Sequence, residues 1–167
     1  MNDIATLRRI LGTCKTIAVV GLSPQWHRPS FFAAKYMQAH GYRIVPVNPT
    51  ATEILGERCY PSVTVAATAL AQRGEKIDLV DCFRRSEDIL PIADEAIAIG
   101  ARCLWMQIGV INEQAAAKAS GSGLDAVMGW EPAREVLGWF AGAGAALLQA
   151  AAPAALGDWV TDRKSVV

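Results

Sequence analysis

A chain of 167 residues suits one domain burying roughly two-thirds of its unfolded surface, so size alone requires neither metal nor disulfide staples. Lys and Arg balance Asp and Glu at 16 each, which excludes an overall field drawing in nucleic acid or an anionic membrane. The four cysteines, Cys14, Cys59, Cys82 and Cys103, stand far apart without a C-x-x-C pair, and only His27 and His40 supply imidazole nitrogens, so neither a metal site nor a disulfide framework is read.

Met1 to Arg9 holds Asp3, Arg8 and Arg9 and no long apolar core, so a helix and a cytoplasmic protein are expected rather than a secretory signal. Ile17-Ala18-Val19-Val20-Gly21-Leu22 is a short apolar run containing a glycine near its end, which predicts a strand covered on both faces, as in parallel sheets. After a polar loop, Pro29 suits a first helical turn, and Phe32, Ala33, Tyr36 and Met37 follow at helical spacing before Gly41. Arg43 to Val47 reads as a strand, Val65 to Gln72 as a short helix and Ile77 to Phe83 as another strand, an alternation that means βαβ units.

Ser86 is placed to cap the next helix, with Glu87 and Asp88 at its positive end and Ile89, Ala93, Ala96 and Ile97 as its apolar stripe up to Gly100. Cys103 to Gln107 reads as a strand, Asn112 as the cap of an Ala-rich helix ending near Gly121, and Asp125 to Met128 as a fifth short strand. Cys82 and Cys103 fall within apolar strands, where a thiol acts as a small hydrophobe. The sum is an α/β domain over residues 1–130, a doubly wound, Rossmann-like parallel five-stranded sheet flanked by helices.

From Trp139 to Gly157 the composition shifts to Ala, Gly and Leu, interrupted by Gln149, Pro153 and glycines, which is too broken and too weakly hydrophobic for a membrane span. Residues 131–167 are expected to form an Ala-rich helical extension, packing on the domain or on a second copy in a homo-oligomer.

Ligands of an open parallel sheet bind outside the carboxyl ends of its strands, near the point where strand order reverses. The loops at those ends carry Gly21-Leu22-Ser23-Pro24 with Arg28, then Asn48-Pro49, then Phe83-Arg84-Arg85, and finally Gln107-Ile108-Gly109. Gly21 allows close backbone approach, Ser23 offers a hydroxyl, and a helix starting near Pro29 points its partial positive end at the same place, a combination suited to a pyrophosphate. Arg28, Arg84 and Arg85 offer guanidinium forks matched to phosphate oxygens, the alternative being ordinary surface charges.

NAD fits less well: Ser23 and Trp26 occupy the second and third glycine positions of the dinucleotide fingerprint, and the strand ending Val47-Asn48-Pro49 lacks an acid for a ribose hydroxyl. The runs Ile17 to Ser23, Tyr42 to Pro49, Ile54-Leu55-Gly56-Glu57, Val80-Asp81-Cys82-Phe83-Arg84-Arg85 and Trp105-Met106-Gln107-Ile108-Gly109-Val110 resemble the CoA-binding domain family, in particular its small stand-alone members, over roughly residues 4 to 128. The resemblance implies a fold related to the CoA-binding part of the succinyl-CoA synthetase α-subunit. It implies coenzyme A or an acyl-CoA as ligand: Gly21, Leu22 and Ser23 at the pyrophosphate with Arg28 nearby, Asn48 and Pro49 beside the adenosine, Arg84 and Arg85 toward the phosphates, Trp105 and Gln107 lining the pocket, and Phe83 and Gly109 as further binding residues on the same loops. Trp105 is equally readable as core. Similar proteins continue after the last strand with an Asp-Arg-Cys-Pro segment, where this chain has Gly129-Trp130-Glu131-Pro132.

No residue set reads as catalytic. His27 has no evident Asp or Glu to orient it, and His40 is explained by its place at a helix end. A binding or regulatory protein is the first expectation. An enzyme or subunit acting on a CoA thioester or nucleotide, and an NAD-binding protein, are the alternatives.

Overall fold

The computed structural model of the protein describes residues 4–129; the Ala-rich extension expected over 131–167 and the first residues of the expected N-terminal helix lie outside them. In chain order come α1 (Ile4–Thr13), β1 (Thr16–Val20), α2 (Pro29–Ala39), β2 (Arg43–Val47), β3 (Glu53–Ile54), β4 (Glu57–Arg58), α3 (Val63–Ala71), β5 (Leu79–Cys82), α4 (Ile89–Ala98), β6 (Cys103–Met106), α5 (Glu113–Gly121) and β7 (Asp125–Val127).

Five of these strands form one sheet in the order β2-β1-β5-β6-β7, parallel throughout. The chain winds outward from β1 to β2, then crosses back over β1 to begin β5, so strand order reverses between β1 and β5. Alternate residues feed two cores. Ile17, Val19, Leu79 and Cys103 join Leu7, Ile10 and Cys14 of the α1 end and Ala34 of α2 on one face. Ala18, Val80, Cys82, Leu104 and Met106 meet α3, α4 and α5 on the other. Both faces are thereby covered, which is why the central strands read as nearly continuous apolar runs. All four cysteines are free and buried.

Polar ties close the amino-terminal edge. The Asp78 carboxylate accepts from the backbone amides of Lys15 at 2.9 Å and Thr16 at 3.1 Å, fixing the α1–β1 turn beside β5. Arg9 grips Asp125 with two bonds of 2.9 and 2.8 Å, fastening α1 to β7. Among the described residues, no helix is long and apolar enough to cross a membrane.

Three local expectations are corrected. The third helix begins at Val63 rather than Val65, because Ser62 caps it by accepting the Val65 amide at 3.2 Å. Ser86 does not cap α4. It opens a 3-10 turn, Ser86–Asp88, and its hydroxyl accepts instead from the Ile111 amide at 2.9 Å, tying this turn to the loop after β6. Asn112 does cap α5, accepting the Ala115 amide at 2.9 Å. The third correction is an unanticipated element, the β3–β4 hairpin, whose connection Leu55-Gly56 holds φ of 57° and 74°, the left-handed pair a two-residue turn requires.

Candidate functional site

The carboxyl ends of β1 and β5 stand side by side at the reversal point, and their loops touch. Gly21, at φ 84°, lies so close to the next loop that a Cβ there would come within 2.3 Å of the Phe83 carbonyl oxygen. What the missing side chain admits is thus a neighbouring loop backbone, and the close approach holds Gly21 against Phe83 and Arg84. Leu22 is fully buried at 0 %, so it anchors the loop in the core and has only backbone to offer a ligand. Its carbonyl accepts from Asn48 Nδ2 at 2.8 Å. Asn48 Oδ1 in turn accepts from the Thr50 amide at 2.9 Å and its hydroxyl at 2.8 Å, so this side chain staples the β1 and β2 loops together. Pro49 is exposed beside it.

The next turn is closed by a residue that the sequence pattern does not single out. Ser30, buried in the first turn of α2, accepts the Ser23 amide on its hydroxyl at 3.0 Å, while the Ser23 hydroxyl accepts the Gln25 amide at 3.1 Å. Arg28 occupies the N-cap of α2 with Pro29 following, and among the described residues no side chain caps the helix there. Pro29 carries no N–H and the Phe31 amide already donates to the Arg28 carbonyl at 3.0 Å, so it is chiefly the helix dipole that favours an anion here. The Arg28 guanidinium donates to Gln25 at 3.2 Å. The same loop exposes Trp26 to 70 %, its indole edge-on to the His27 and Phe32 rings.

On the β5 side Phe83 is half-buried, and Arg84 and Arg85 are exposed. Arg84 pairs with Asp88 at 3.0 Å, an exposed (i, i+4) bridge of the kind that contributes little and yields readily to a stronger anion. Trp105 and Gln107 follow on β6 and at its end, both half-buried, and Gly109 turns the loop beyond at φ 84° with open space around it.

Asp81, in sequence only one member of a motif, takes on a role of its own in the structure. It lies on β5 between Val19 and Trp105 in register and is 1 % exposed. Its Oδ1 accepts from Gln107 Nε2 at 2.8 Å, and its Oδ2 has no hydrogen-bond partner among the described residues. Burial pushes this carboxyl up to about 7, against the smaller opposing pull of hydrogen bonds from Gln107 and the Cys82 amide. The neighbouring thiols of Cys82 and Cys103 are driven upward by burial too, and so stay neutral. The available signal was an acidic residue inside a strand covered on both faces, where an unpaired charge is not tolerated.

The strand-end loops thus bring Gly21, Ser23, Arg28, Asn48, Phe83, Arg84 and Gln107 to one edge of the sheet. Fold and edge together define a doubly wound α/β ligand-binding domain of the 2-1-3-4-5 strand order, with its crevice at the switch point. More narrowly, the chain belongs to the CoA binding domain family, whose model matches residues 15–130. It is 41% identical over 111 residues to the uncharacterized protein YneT of Bacillus subtilis (strain 168), a match spanning 66% of this chain and 77% of that one. A hypothetical protein from Pyrococcus horikoshii OT3 superimposes with a TM-score of 0.68 at 36% identity, covering 75% of this chain and 84% of that one. The dinucleotide forming acetyl-coenzyme A synthetase 1 of Ca. Korarchaeum cryptofilum, in complex with phosphate and ADP, gives a TM-score of 0.58 at 26% identity, covering 75% of this chain but 27% of the synthetase.

Proposed function

We propose that this protein binds coenzyme A or an acyl-CoA at the β1/β5 crevice, as a cytoplasmic binding or regulatory protein. The observation that carries the reading is the family match over residues 15–130, which spans every loop of the crevice. The start of α2, with Arg28 at its N-cap, and Arg84 against Gly21 add the chemistry a diphosphate needs. In this reading Gly21, whose own amide bonds the Val47 carbonyl at 3.0 Å, shapes the loop, while the Leu22 amide, the Ser23 hydroxyl and the positive end of α2 receive the pyrophosphate, and Arg28, Arg84 and Arg85 supply countercharge. Asn48 and Pro49 border the adenosine, while Phe83, Trp105, Gln107 and Gly109 line the rest of the pocket.

Isothermal titration with CoA, acetyl-CoA and NAD tests the reading, repeated on an Arg84→Ala, Arg85→Ala double variant. Saturable CoA binding weakened at least tenfold in the variant is expected, since each charge-assisted phosphate bond contributes about 1.5–3 kcal/mol. No heat with either CoA species, or preference for NAD, overturns it.

A further inference from the structure

Gln107 is half-buried at the end of β6, one edge of its amide held by Asp81 at 2.8 Å, and in the CoA reading its opposite edge meets the ligand. Which atoms that outer edge presents is not free to vary. A carboxylate only accepts hydrogen bonds, so beside ionised Asp81 the amide turns its NH2 inward and its carbonyl Oε1 outward. A protonated carboxyl needs an acceptor for its new O–H, because a buried donor without a partner is costly. Gln107 Oε1 supplies that acceptor if the amide rotates by half a turn, and the NH2 then faces out. We infer that Asp81 is a positioning residue whose protonation state sets whether Gln107 offers the bound ligand an acceptor or a donor.

A ligand that presents oxygen atoms, as a diphosphate or an amide carbonyl does, prefers the outward NH2. Its binding therefore favours protonated Asp81 and draws a fraction of a proton from solvent near the midpoint of its transition. This rests on the CoA reading above and specifies what the site demands of the ligand at this position. The coupling belongs to this pair. The titratable groups acting with Asp81 are Cys82 on its own strand and Cys103 on β6, both neutral, and no charged side chain of β1, β6 or the covering helices perturbs it among the described residues. Burial brings the acid close enough to neutrality for a modest bias to move its proton. The carboxyl oxygen that the fold leaves without a partner among the described residues is the structural sign of a group built to change state.

The test follows the Gln107 side-chain amide signals of the full, ¹⁵N-labelled chain by NMR from about pH 5 to about pH 9, with and without saturating dephospho-CoA, whose diphosphate does not titrate in that range. The expected result is one transition near neutrality, absent in Asp81→Asn and raised by about one unit when the ligand is bound, equivalent to a tenfold tighter hold on the protonated form. If Asp81→Asn does not fold, Gln107→Ala serves, and its affinity for dephospho-CoA is expected to lose the tenfold variation with pH. A transition whose midpoint ignores the bound ligand, or no transition at all, overturns the coupling while leaving the CoA reading intact. A spectrum unchanged everywhere on adding dephospho-CoA refutes the CoA reading and the coupling with it.

Discussion

Replacing Asp81 by asparagine exposes what its burial costs. An acid raised from its ordinary value of 3.8 to about 7 by burial is shifted by roughly three units, and each unit is about 1.4 kcal/mol, so the ionised form burdens the fold by on the order of 4 kcal/mol at most. The sign follows from proton counting. Below the unfolded value both states are protonated and nothing is lost. As pH rises from there toward the folded value, the unfolded chain releases its proton while the native one retains it, so stability falls, and above the folded value the loss is complete. The amide introduced by Asp81→Asn does not titrate, and it retains the shape and the acceptor that Gln107 uses. The stability gap in favour of Asp81→Asn is therefore expected to widen by about 2–3 kcal/mol between about pH 5 and about pH 8. Urea unfolding of the two proteins at matched pH values reads this directly, the wild type serving as reference so that other titrating groups cancel. A gap that stays constant across that interval would refute the reasoning, because it would mean that Asp81 titrates alike in both states.

Gly21→Ala is expected to lower stability by at least about 2 kcal/mol, because φ 84° and a Cβ at 2.3 Å from the Phe83 carbonyl oxygen combine strain with a backbone clash. Gly109→Ala, at the same φ but in open space, should lose only about 1 kcal/mol, and thermal melts of the pair separate the two effects. Ser30→Ala leaves the Ser23 amide without its acceptor and should cost about 1–2 kcal/mol in denaturant titration, with faster hydrogen exchange at Ser23. Trp26, at 70 % exposure on the loop that carries Ser23 and Arg28, should change its fluorescence as CoA binds; an unchanged signal difference between wild type and Trp26→Phe on titration would place the ligand elsewhere.

The sheet was legible because its central strands are buried on both faces and so appear as nearly continuous apolar runs, and the Asn112 cap was legible because its residue type and position leave little else for it to do. Cap assignment failed at Ser86 for a reason local sequence does not contain: its hydroxyl is claimed by Ile111, 25 residues away. The β3–β4 hairpin escaped notice since two-residue strands carry no periodicity and Leu55, not Asn or Gly, holds the first left-handed turn position. At the edge of the sheet the loops were correctly located by strand ends, yet the internal duties of their residues were hidden. Leu22 is core, Asn48 is a staple, and Ser30 completes the turn from within a helix, the last two through contacts 7 to 26 residues apart. Asp81 was the most consequential omission. One acid in Leu79-Val80-Asp81-Cys82 hardly disturbs an apolar run, and only the pairing of β5 with β6 brings Gln107 to it.

Those internal bonds bear on how the crevice works. Gly21 is seated against Phe83, Leu22 is tied to Asn48, Ser23 to Ser30, and the β5 turn to the β6 loop through Ser86 and Ile111, all by contacts within the chain itself. A ligand then meets loops whose backbone is already ordered, so that little of its binding energy is lost to fixing them. The arginines are the opposite case. Arg84 and Arg85 are exposed, and among the described residues Arg84 is held by a surface ion pair, so in the proposed site these long side chains would be ordered as phosphates arrive. In the proposed CoA site, ordered loops and exposed guanidinium groups would divide the work: the first would fix where a diphosphate sits, and the second would add charge that salt screens. Affinity for CoA should consequently fall with ionic strength in the wild type and much less in the Arg84→Ala, Arg85→Ala variant, whereas Ser30→Ala should weaken binding without altering that slope.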